Sequence, residues 1–78
     1  MNYVFEVFHT GMRYKYDTYQ EAITTAKQLT SSGCYLDIEG SDTAYIVQRT
    51  QLDNSDERIS ITKVVATTKT QWYMSDLM

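Results

Sequence analysis

The chain has no proline, three glycines, one cysteine and one histidine, and each scarcity closes off a class of function. Cys34 stands alone, so no intrachain disulfide can form, which suits a reducing compartment. His9 and Cys34 are the only imidazole and thiol. Two such ligands fall short of a structural zinc site, which needs about four. They could pair as a base and a nucleophile, yet neither lies in a recognisable nucleophile signature. With three glycines there is no glycine-rich phosphate cradle. Asp37, Glu39 and Asp42 surround Gly40 but lack the spacing of a calcium loop, and solvated turn residues explain them. The reading is therefore of a non-enzyme with no cofactor and no metal.

Charge is scarce as well. Ten acids against seven bases leave a net charge of −3, which disfavours unspecific binding to nucleic acid or an anionic membrane. The same balance is too even for a mimic of DNA. No apolar run reaches the roughly 18–20 residues that a membrane span requires. No basic stretch followed by an apolar core marks a signal peptide at the N-terminus. These absences lead to the expectation of a soluble, cytoplasmic protein.

What is present begins with one amphipathic segment, Asp17 to Gly33. Tyr19, Ala22, Ile23, Ala26 and Leu29 form one stripe of a 3.6-residue repeat, while Gln20, Thr24, Lys27 and Gln28 take the other side. Thr18 and Glu21 have capping-box spacing, and Gly33 can close the last turn. A helix with a single apolar stripe has to lie on something, and the remaining chain reads as strand.

Residues 3–9 alternate Tyr3, Phe5 and Val7 against Val4, Glu6 and Phe8, and residues 13–17 set Tyr14 and Tyr16 against Arg13 and Lys15. A two-residue turn at Thr10-Gly11 pairs Val7 with Tyr14, Phe5 with Tyr16, and Glu6 with Lys15. After the helix, Tyr35 to Glu39 and Ala44 to Arg49 read as a second hairpin around Gly40-Ser41-Asp42. A three-residue loop puts Leu36 opposite Ile46 and Ile38 opposite Ala44, all inward. A two-residue loop turns Tyr45 and Val47 inward instead, because a one-residue slip exchanges the faces. Residues 51–57 read as an acidic loop. Arg58 to about Thr68 reads as a strand with Ile59 and Ile61 inward and a bulge or strand end at Lys63-Val64-Val65. The tail, residues 69–78, carries Trp72, Tyr73, Met74 and Leu77 at spacings that allow one turn of helix.

The expected fold is a single α+β domain over residues 1–78, in the order β-β-α-β-β-β. It is a four- to five-stranded, mostly antiparallel sheet with one helix packed on one face. One helix covers one face only. The other face would display Val4, Phe8, Tyr35 and Tyr45 among Glu6, Arg13, Lys15, Asp37, Glu39 and Arg49, a mixture suited to recognition. The expectation is a protein-binding module whose docking residues are Phe8, Tyr35, Asp37, Glu39, Tyr45, Asp53, Asp56 and Glu57. Its acidic groups would meet a basic groove on a larger protein. Three alternatives stay open: a homodimer that buries this face, a tail folded over it, and a single-stranded nucleic-acid binder. The last rests on Arg13-Tyr14-Lys15-Tyr16, although strand alternation separates the tyrosines from the cations.

In outline the chain resembles small phage-encoded accessory proteins, including anti-CRISPR inhibitors of host defence. The resemblance rests on an aromatic-rich first strand, the helix with Glu21, Ala22, Ile23, Ala26 and Leu29, and a hairpin after it. It implies a stoichiometric inhibitor, in the host cytoplasm, that occludes a site on a larger host protein or complex. It implies no particular site residue.

Overall fold

The computed structural model describes residues 2–33, 42–51 and 57–77. The elements are β1 (Asn2–His9), β2 (Met12–Tyr16), α1 (Tyr19–Gly33), β3 (Thr43–Gln51), β4 (Glu57–Ala66) and β5 (Trp72–Asp76). They form a five-stranded antiparallel sheet in the order β2-β1-β3-β4-β5 with the helix on one side, the α+β architecture that the patterning implies.

The first hairpin has the register that its side-chain pairs require. Val7 faces Tyr14, Phe5 faces Tyr16 and Glu6 faces Lys15. Thr10 (φ 46°) and Gly11 (φ 83°) both adopt positive φ, the twist that matches two right-handed strands. Glycine takes this conformation freely, whereas a β-branched threonine is strained there. Thr10→Asn is therefore expected to stabilise the protein by about 0.5–1 kcal/mol in urea titration.

β2 and β3 run parallel with β1 between them, so the connection from one to the other must cross the sheet, and α1 makes that crossing over β1. The helix start is capped: the Glu21 N–H donates to Thr18 Oγ1 at 3.2 Å, and the Thr18 hydroxyl donates to Glu21 Oε1 at 2.9 Å. Beneath the helix lie Phe5, Val7, Ala44, Ile46 and Val64, met by Ala22, Ile23 and Ala26. Tyr14, Tyr16, Leu29 and Trp72 pack at the border of this core. The small side chains at Ala22 and Ala26 let the helix backbone approach the sheet closely. Tyr19, expected in the buried stripe, is exposed but sets its ring edge-on to Phe5 at 5.9 Å. Thr30 is fully buried, and its hydroxyl donates to the Ala26 carbonyl.

Several expectations are corrected. The tail is a strand rather than a helical turn. β5 lines up along β4 with Ala66 opposite Trp72 and Val64 opposite Met74, gaining a ladder that a single isolated turn would lack. No bulge interrupts Lys63-Val64-Val65, since β3 and β4 keep one register from Thr43↔Val65 to Gln51↔Glu57. Ile59 and Ile61 do not face the helix. The inward positions of β4 are Ser60, Thr62, Val64 and Ala66, because Val64 opposite Ala44 is where the helix lies. Apolar residues fall on both faces of this strand, Ile59, Ile61 and Val65 on one and Val64 and Ala66 on the other, so alternation alone could not choose between them.

Within β3, Ala44 and Ile46 do point under the helix while Tyr45 points away. The proposed partner strand, Tyr35 to Glu39, lies outside the described residues. The sheet neighbours of Ile46 are Val7 of β1 and Thr62 of β4. Of the expected loop, Gln51 and Glu57 belong to β3 and β4 and face each other.

Candidate functional site

The face of the sheet turned away from α1 is built from the odd-numbered residues of β2, β3, β4 and β5 and the even-numbered residues of β1. Registered pairing carries one row across every strand: Arg13 of β2, Phe8 of β1, Tyr45 of β3, Lys63 of β4 and Ser75 of β5. At the usual spacing between strands such a row is about 19 Å long. Two aromatic rings at its centre are thus flanked by two cations. Val4 and Ile59 lie further along this face and Tyr73 lies at its β5 edge, all of them exposed. A shallow cleft opens where the row meets the β1–β2 turn, lined by Phe8, His9, Thr10, Gly11, Thr43, Tyr45 and Lys63.

Beside the row lies an ion-pair network. Arg49 Nε donates to Glu6 Oε1 at 2.6 Å, Arg13 Nε stands 3.4 Å from Glu6 Oε2, and Arg49 donates through a second nitrogen to Glu57 Oε1 at 3.1 Å. Glu6 is only 2% exposed. A carboxylate this deep needs such donors to offset its lost hydration. Its hydrogen bond to Glu6, and then the one to Glu57, pushes the Arg49 guanidinium further above its usual range. Because the folded-state value is the raised one, this contribution persists at every pH below the arginine's ordinary range. It fades only under strongly alkaline conditions. The network ties β2, β1, β3 and β4 together on the side that the helix leaves open.

Three of the expected docking residues can be placed. Phe8 and Tyr45 are direct neighbours at the centre of the row. Glu57 sits at the start of β4, exposed and bound to Arg49. Tyr35, Asp37, Glu39, Asp53 and Asp56 lie outside the described residues, as does Cys34. Glu6, expected on display, is sequestered by the arginines. The described residues of this face carry Arg13, Lys15, Arg49 and Lys63 against Glu6 and Glu57, and both carboxylates are engaged by arginine. Lys15 and Lys63 take no part in that network, so among the described residues the surroundings of the aromatics are cationic.

Lys63 and Tyr73 were not singled out by the sequence. Lys63 shares the outward row of β4 with Ile59, Ile61 and Val65, and placing the isoleucines inward, with a bulge at Lys63, concealed it. Tyr73 became legible only once the tail was a strand. That strand settles the position of Trp72 too: it turns to the helix side, and its indole N–H donates to Thr30 Oγ1 at 2.9 Å. The tail therefore widens the sheet and does not fold over its open face. Among the described residues, no helix is long and apolar enough to cross a membrane. Comparison with protein-family models, with curated proteins and with solved structures gives no match.

Proposed function

We propose that this chain is a non-catalytic protein-binding module that docks the open face of its sheet on a larger protein. The observation that carries the reading is the Arg13–Phe8–Tyr45–Lys63 row, in which adjacent aromatics can fill an apolar hollow while flanking cations engage carboxylates around it. Aromatic and arginine side chains at the centre of a patch are the usual energetic anchors of an interface. The sheet holds them in register, so little ordering entropy is lost on docking. The proposed partner is a larger host protein with acidic groups around a hydrophobic recess, and docking would occlude its working site. That mode of action is the one which the resemblance to phage-encoded inhibitors implies.

A second reading draws on the same row. Aromatics interleaved with cations on an open sheet also suit the stacking of single-stranded nucleic acid. Tyr14 and Tyr16 do not contribute, since they pack at the border of the core, but Phe8 and Tyr45 stand beside Arg13 and Lys63.

Capture from the native host's extract separates the two. The wild-type chain should retain a protein partner that Tyr45→Ala loses by about 30-fold in affinity, the effect of removing a hot-spot aromatic. Lys63→Glu should act in the same direction, whereas Gln20→Ala on the exposed side of α1 should not. A partner retained equally by all of these would remove the face from the site. Micromolar, salt-sensitive binding of a short oligothymidylate, lost with Lys63→Glu, would install the nucleic-acid reading instead.

A further inference from the structure

The two ends of the sheet are guarded differently. β2 has Arg13 and Lys15 along its length, the charged side chains with which sheet edges commonly discourage further pairing. β5, WYMSD, has no lysine, arginine or proline, and its one charge comes last. Tyr73 (63%), Met74 (44%) and the adjoining Leu77 (53%) are exposed. Among the described residues, no strand pairs with the outer edge of β5.

The direction of its backbone groups follows from the β4 pairing. Leu77 N–H donates to the Ile61 carbonyl at 2.8 Å, and Thr67 N–H donates to the Gln71 carbonyl at 2.9 Å. Antiparallel ladders alternate, so the odd-numbered residues of β5 bond β4. Trp72, Met74 and Asp76 aim their N–H and C=O groups outward. An outward row of this kind is complementary to a second copy of itself.

We propose that β5 pairs antiparallel with β5 of a second copy, on a two-fold axis through Met74, to make a continuous ten-stranded sheet with both helices on one side. In that register Met74 meets its symmetry mate, and Trp72 stands opposite Asp76 in both directions. Every outward group of the three even-numbered residues is then satisfied. The side chains agree with the backbone. Lys27 holds its ammonium 5.3 Å from the centre of the Trp72 ring, on the helix side. Asp76 projects to that same side, opposite Thr62. Each Asp76 therefore enters the neighbourhood of the Lys27–Trp72 pair of the other copy, so opposite charges meet twice. On the other face, each exposed Tyr73 comes to lie against Ser75 of the other copy. A hetero-partner strand would have to reproduce this pattern, whereas the chain already carries it.

A contact of five-residue strands is small, so the dimer should be a weak one, with a dissociation constant on the order of tens of micromolar. Sedimentation from about 1 to about 500 µM measures it. Met74→Lys, which places two ammonium groups on the axis, should weaken the dimer by about tenfold or more. Lys27→Glu and Asp76→Lys should each weaken it by about five- to tenfold, since each change acts twice, and together they should restore it to within about twofold. The restoration keeps the test decisive if Met74→Lys perturbs the fold. A chain that stays monomeric throughout, or a dimer indifferent to Met74→Lys, overturns the proposal. So does a double variant weaker than either single one. A dimer lost with Tyr45→Ala but kept with Met74→Lys would place the second copy on the open face instead. Because the docking row does not include β5's outer edge, loss of this dimer leaves the proposed partner binding intact.

Discussion

Ile46→Ala is expected to lower folding stability by about 3–4 kcal/mol, within the range observed when a buried isoleucine is truncated. Ile46 lies in the central strand at 1% exposure, with Val7 on one side and Thr62 on the other in the sheet. The helix closes over it, so the surroundings can collapse only partly into the cavity left behind. A chain of 78 residues has a total stability of about 4–12 kcal/mol, so the loss removes about a quarter of it or more. In urea, with a slope near 1–1.5 kcal/mol per molar, the midpoint should fall by about 2–4 M. The neighbouring Tyr45→Ala provides the control. That side chain is 38% exposed on the other face, and its removal should cost about 1 kcal/mol or less. If the two costs were reversed, β3 would be set one residue out of register and both faces of the sheet would be wrongly assigned.

Trp72→Ala should cost about 3 kcal/mol, from three sources that can be separated. Its ring packs against the core at the β5 end, its indole N–H bonds Thr30, and Lys27 sits over its face. Trp72→Phe keeps most of the packing and should cost about 1–1.5 kcal/mol. Thr30→Val removes the acceptor while nearly conserving volume, and should cost about 1–2 kcal/mol by leaving the indole N–H without its partner. Combined, the last two changes should cost less than their sum by about 1 kcal/mol, because both break the same bond. Denaturant titrations of the four proteins measure that coupling. A tail folded as a free turn would give no coupling at all, and its tryptophan could be deleted with little effect.

The first hairpin shows what sequence patterning can do when it has two strands to compare. Glu6 opposite Lys15 and Phe5 opposite Tyr16 constrain each other, and only one register satisfies both. The helix was equally legible, since its stripe repeats over three turns and Thr18 marks its start. Farther along, Ile59, Ile61, Val64 and Val65 offered apolar residues to either face. Which set turned inward depended on where the helix, arriving from β2, came to rest. The tail shows the same limit. Trp72 and Met74 alternate with Tyr73 and Ser75 as a strand should, but the run is short, and only the open edge of β4 made it one.

The candidate site divides along the same line. Phe8 could be named from alternation within its own strand, whereas the outward side of Tyr45 rested on a three-residue loop before β3, because a one-residue slip would have turned it under the helix. Their adjacency, the cations on either side and the burial of Glu6 required strand order, which joins residues distant in the chain. Short-range periodicity determined the helix, the first hairpin and the two-sidedness of the sheet, since each is set by neighbours a few residues apart. Tertiary pairing decided the row Arg13–Phe8–Tyr45–Lys63 and the open edge at Met74. Both depend on which strands lie side by side, and that is fixed by how the helix must cross β1 to bury its stripe.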